Sequence, residues 1–98
     1  MNESNYSWDE SKNQSNQAKH GISFDEACHV FQDDQALLIH DPDHSTREDR
    51  FVILGFSSHS RLLVVVHSWE MTGDRIRIIS ARRATRREWR HYLERHQP

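Results

Sequence analysis

The spacing of apolar and polar positions changes twice along the chain. The first seven residues are polar and expected to fray, with Tyr6 and Trp8 the first side chains worth burying. The stretch Asp9–Lys19 (DESKNQSNQAK) is almost wholly polar. Asp9 nevertheless suits a helix cap and Gly21 a helix stop, so a polar helix is expected between them. Ser23 opens a second helix with a capping-box pattern, Ser23-Phe24-Asp25-Glu26. There Phe24, Ala27, Cys28 and Phe31 fall at i, i+3, i+4 and i+7, a single apolar stripe.

From that point the period shortens. Ala36–His40 (ALLIH), Phe51–Phe56 (FVILGF) and Arg61–His67 (RLLVVVH) are short β-branched runs separated by turn-rich segments at Asp41–Asp49 and Ser57–Ser60. Thr72-Gly73-Asp74 reads as a hairpin turn into a fourth strand, Arg75–Ala81. Thr85-Arg86-Arg87-Glu88 is another capping box, opening a last helix that runs to about Arg95. In it Trp89, Tyr92 and Leu93 are placed to pack on a sheet. The order predicts one α+β domain over residues 1–98: two N-terminal helices, a mainly antiparallel sheet of about four strands, and a C-terminal helix.

Composition adds a charge split. The net charge of −2 divides into 4 Lys/Arg against 11 Asp/Glu in residues 1–60, and 9 against 4 in residues 61–98. A basic second half suggests a surface for nucleic acid or for an acidic partner. The lone Cys28 allows no internal disulfide, and the N-terminus lacks a signal peptide's basic start and apolar run. The longest apolar stretch, Leu62–Val66, is too short to cross a bilayer, so a cytoplasmic protein without a membrane role is expected.

The basic charge is all arginine from Arg75 to the end, where eight arginines and no lysine occur. Arginine offers a planar fork of donors matched to phosphate and stays charged at any physiological pH. On an alternating strand Arg75, Arg77 and Ile79 share the face opposite Ile76 and Ile78. Two arginines on that face stand about 7 Å apart, a span that fits adjacent phosphates. Arg82 and Arg83 follow the strand, while Arg86, Arg87 and Arg90 fall on the outer arc of the last helix. At Lys19-His20-Gly21 a cation and a titratable imidazole meet at a helix end, where His20 can serve as acid or base. His40 and His44 flank Asp41 and Asp43, but without cysteines this spacing matches no standard zinc site, and no metal is expected. With three glycines in all, the chain has no phosphate-binding loop, and its serines lack a nucleophile elbow.

Several short segments, in order, carry a resemblance. They are Trp8-Asp9-Glu10 with Lys12-Asn13, and Lys19-His20-Gly21-Ile22-Ser23-Phe24 with Glu26-Ala27. Asp41-Pro42-Asp43-His44-Ser45, the strand Arg61–Val66, and Arg75–Arg83 with Ala84-Thr85 complete the set. The sequence resembles the BrnT toxins of bacterial type II toxin–antitoxin systems. The resemblance implies a RelE-like microbial RNase fold and a metal-independent endoribonuclease that needs no cofactor and inhibits translation and growth. It also implies a BrnA-like ribbon-helix-helix antitoxin that neutralises the toxin and through which alone the complex binds promoter DNA. For such a reaction Arg77 and Arg82 are the expected phosphorane stabilisers, with Arg75 and Lys19 positioning the RNA backbone and Arg83 and Arg86 adding contacts to it. His20 is the expected acid or base. Glu70 is the second, beside a Trp69–Asp74 turn that departs from the family pattern. The alternative is a non-catalytic adaptor that uses its arginine face to bind nucleic acid or an acidic partner. A third reading, an antitoxin, would call for a long disordered neutralising tail that the chain lacks.

Overall fold

Two short side chains start the helical half of the molecule. In the computed structural model, which describes residues 5–39, 50–70 and 74–95, Asp9 accepts from the backbone N–H groups of Ser11 and Lys12 and begins α1 (Glu10–His20). Gly21 ends it in a left-handed conformation at φ 73°, which glycine adopts without steric cost. Ser23 likewise caps α2 (Phe24–Cys28), its hydroxyl accepting from the N–H of Glu26. The expected apolar stripe continues past α2, but over His29–Gln32 the chain tightens into a 3₁₀ turn.

The strands are β1 (Tyr6–Ser7), β2 (Leu37–Ile39), β3 (Phe51–Phe56), β4 (Leu62–Glu70) and β5 (Arg75–Arg83), and α3 (Arg86–Arg95) closes the described chain. The sheet order is β1-β5-β4-β3-β2, with antiparallel pairing throughout except for β1, which runs parallel to β5. The sheet therefore has five strands where about four were expected. The added one comes from Tyr6 and Ser7, which do not fray. Tyr6 is buried against Phe31 and pairs with Ile76, so an aromatic anchor gives this short edge strand its place.

Two apolar layers lie on opposite faces of the sheet. Ile53, Leu63, Val65, Ile78 and Ala81 meet Ile22, Phe24, Ala27, Cys28 and Val30 on the α1/α2 side. On the other side Leu37, Val52, Leu54, Leu62 and Val64 meet Tyr92 of α3. Covering on both faces is why β3 and β4 read as continuous apolar runs in the sequence, whereas β5 alternates. Gly55 is required by close approach: a Cβ there would lie 2.9 Å from Val30 Cγ1 and from Ala36 Cβ.

The polar helix α1 docks without an apolar face. Its buried residues are Asn13 and Asn16. Asn13 Oδ1 accepts from the N–H of Phe24, and Asn16 Nδ2 donates to the carbonyls of Ile22 and Ala81. Asn16 Oδ1 also accepts from the N–H of Ala81, so this one amide pairs the outer edge of β5 much as another strand would. On α3 the expected contact is partial: Tyr92 is buried, whereas Trp89, though it touches Phe56, and Leu93 are exposed.

Candidate functional site

An irregularity in β5 decides which arginines share a surface. Opposite β4, Ser68 pairs with Arg77 and Val64 with Arg82, but Val66 pairs with Ser80 and His67 with Ile78, leaving Ile79 as an extra residue in a bulge. Strict alternation would set Arg82 on the face opposite Arg77. The bulge resets the phase, so Arg75, Arg77, Ser80 and Arg82 lie on one face, that of Val64 and Val66. Ser68 and Val64 are four residues apart in β4, so Arg77 and Arg82 are separated by roughly 13 Å of strand. They span more than one phosphate step.

The two ends of this face differ. At one, Glu70 stands across from Arg75, and its Oε2 lies 3.4 Å from Arg77 Nη1. Both partners are partly exposed, so the pair is loose and solvent-screened. At the other, Arg82 donates from both Nη atoms to Glu88 at 2.9 Å. Glu88 also accepts from the N–H of Thr85 (2.8 Å), while its own N–H donates to the Thr85 hydroxyl (3.2 Å). The capping box of α3 and the fork of Arg82 are therefore one unit. Hydrogen bonds from Arg82 hold the Glu88 carboxyl below its ordinary range against the opposing effect of burial. Ser80 and Ser68 fall between the two ends.

The remaining candidates sit around the edge. Lys19 and His20 end α1, past Asn16, which meets Ala81 at the outer edge of β5. Arg83, facing Leu63, is on the side of the sheet that packs on α2. Arg86, Arg87 and Arg90 are all exposed on α3. The structure thus brings Glu70, Arg75, Arg77 and Arg82 to one face and sets Lys19, His20 and Arg83 around the end of β5. Among the described residues no carboxylate pairs with Arg75, Arg83, Arg86, Arg87, Arg90 or Arg95, so the charge split is only partly offset internally. Among them, too, no cluster of His, Cys, Asp and Glu is arranged to hold a metal, and no helix is long and apolar enough to cross a membrane. His40–Asp49, with the Asp41–Ser45 motif, and Met71–Gly73 in the expected hairpin turn lie outside the described residues.

Three polar groupings were not foreseen from the sequence. Glu26, read as the return arm of a capping box, turns away from Ser23. Its buried carboxylate accepts from Ser57 Oγ (2.6 Å), from Arg61 Nε (2.9 Å) and from Arg61 Nη2, with His59 Nδ1 3.4 Å away. Burial pushes this carboxyl up, but the bonds and charges of Arg61, Ser57 and His59 outweigh it and hold the group below its ordinary range. Asp33 Oδ2 accepts from the Tyr92 hydroxyl and the Phe56 N–H, both at 2.8 Å. Burial, then Asp33, pushes the Tyr92 hydroxyl up to about 12, so it remains a donor. His67 is buried edge-on against Phe31, 4.8 Å between ring centroids, and burial pushes its pKa down. It serves as a neutral core ring. Each grouping joins residues far apart in sequence, and only the exposed-looking Glu26 beside an apolar stripe hinted at a buried partner.

An arginine-lined sheet face with polar side chains between its charges is a surface suited to a phosphodiester backbone. The comparisons with known proteins agree in kind. The family model described as the ribonuclease toxin BrnT of type II toxin–antitoxin systems matches residues 8–88, and the chain belongs to that family. The crystal structure of the Brucella abortus ribonuclease toxin BrnT is similar in fold, with a TM-score of 0.63 and 24% sequence identity over 83% of this chain and 96% of that one. No curated protein matches the chain. Membership of this family implies an RNA substrate and an antitoxin partner.

Proposed function

We propose that the chain is a metal-independent endoribonuclease that inhibits translation and growth, with a RelE-like fold and its catalytic centre on the arginine face of β5. The 2′-hydroxyl of the RNA attacks the adjacent phosphorus, the 5′-oxygen leaves, and a 2′,3′-cyclic phosphate remains. Negative charge builds on the phosphorane oxygens, and fixed cations stabilise it more than they stabilise the ground state. Arg77 and Arg82 supply those cations, with Arg75 and Lys19 positioning the backbone on either side and Arg83 and Arg86 extending the contact. His20 is the acid or base, acting from around the end of β5, with Glu70, beside Arg77, as the second candidate. A BrnA-like ribbon-helix-helix antitoxin covers this basic half and leaves its own DNA-binding part free, so promoter DNA is bound by the complex and not by the toxin.

The observation that carries this reading is the bulge at Ile79, which puts Arg75, Arg77 and Arg82 on one face in a chain of the ribonuclease toxin family. The test is cleavage of RNA by the purified chain in excess EDTA. Cleavage is expected to persist and to leave 2′,3′-cyclic phosphate ends. Loss of activity on chelation, with rescue by a single divalent ion, would overturn the mechanism.

A further inference from the structure

The β3–β4 turn and the start of α3 enclose a cleft of about 320 Å³ lined by Ser60, Arg61, Leu62, Arg83, Ala84 and Trp89. No acid lines it. Its walls combine two guanidinium groups with one indole. Arg61 is fastened to Glu26 through Nε and Nη2, which turns Nη1 away from that carboxylate. Arg83 has no acidic partner among the described residues. Trp89 meets Phe56 in an edge contact at 74°, 5.4 Å between centroids, and stays 39% exposed, so its ring is anchored but not covered. A rigid aromatic surface between cations, with a small apolar floor from Leu62 and Ala84, suits a ligand that is flat at one end and anionic at the other.

We propose that this cleft holds one nucleotide of the RNA strand, with its base on Trp89 and its phosphate against Arg83 and Nη1 of Arg61. This rests on the ribonuclease reading above. Arg75, Arg77 and Arg82 follow one another along β5, and the cleft opens where that strand ends. A strand laid on the arginines therefore runs into it, and the nucleotide bound there lies outside the scissile step. An acidic segment of the antitoxin could meet the same arginines, but it has no use for an exposed, fixed indole flanked by guanidiniums. The nucleotide uses all three.

Initial rates on a single-stranded RNA hexanucleotide, measured with the full chain, test this. Trp89→Leu and Arg83→Gln are each expected to raise KM about tenfold, with kcat moving far less. Trp89→Phe keeps a stacking surface and should recover most of the KM, which separates loss of stacking from a weakened α3. If both Trp89→Leu and Arg83→Gln stay folded and leave KM within twofold, the subsite is wrong. If they weaken antitoxin binding and leave KM unmoved, the cleft belongs to the protein partner and the proposal also fails. A parent chain that cleaves no RNA removes the ribonuclease reading and the subsite with it, whereas cleavage with an unmoved KM removes the subsite alone.

Discussion

Arginines of identical chemistry have different roles here according to what holds them. Arg77 is on the sheet face, loosely paired with Glu70, and can exchange that partner for a phosphate at little cost. Arg82 is held in a two-point fork by Glu88 and so is pre-oriented, but its removal also frees a capping residue of α3. Arg90 is exposed on α3 and bonded to nothing in the described chain. Removing a charge that acts mainly on the transition state typically costs 10²–10³ in rate, about 3–4 kcal/mol. Arg77→Ala is therefore expected to lower kcat for RNA cleavage by about 10² or more with the fold intact, as read by single-turnover rates beside circular dichroism. Arg90→Ala should weaken binding modestly and flatten its salt dependence. If Arg90→Ala destroys cleavage and Arg77→Ala does not, the centre lies on α3 and the assignment is wrong.

At the scale of elements, the contacts that assemble the fold are polar and long-range. Glu26 joins α2 to the β3–β4 turn through Ser57 and Arg61. Its folded pKa lies below the ordinary value of 4.5, so between the two values the unfolded chain binds a proton that the folded chain does not. The stability it contributes is then complete above that ordinary value and is lost as pH falls through the lower folded value. Glu26→Gln is expected to flatten the acid limb of a stability–pH curve below about pH 4.5 and to lower neutral-pH stability, because the buried side chain loses the charge that Arg61 and Ser57 donate to. Urea titrations from pH 3 to pH 7 read both, and an acid limb that keeps its slope in the variant would contradict the assignment. Helix starts and the strands β2 to β5 were legible because each depends on local signals: caps at Asp9, Ser23 and Thr85, a stop at Gly21, β-branched runs. The bulge at Ile79 was missed, although the alternation of Arg75–Ile78 breaks at Ile78-Ile79, where two apolar residues stand in succession and the polar phase resumes at Ser80 and Arg82. The roles of Asn13, Asn16 and Glu26 were not legible, since their partners lie elsewhere in the chain. The candidate arginines could be named from the sequence, but their common face was missed with the bulge.

For the whole molecule, the two faces of the sheet are covered differently. One face, packed by α2 and pinned by the asparagines of α1, stabilises the fold. The other carries the arginines at its β5 side and α3 at one end, where Tyr92 and Asp33 tie the helix to β3. The second half of the chain is left basic on the outside, which is the surface the proposed RNA and antitoxin contacts share. The central claim, a growth-arresting ribonuclease controlled by its partner, is tested most directly by growth itself. Bacteria induced to make this chain alone should stop dividing, and co-expression of the neighbouring antitoxin gene should restore growth. Unimpeded growth in cells that accumulate the folded chain without its antitoxin would contradict the account.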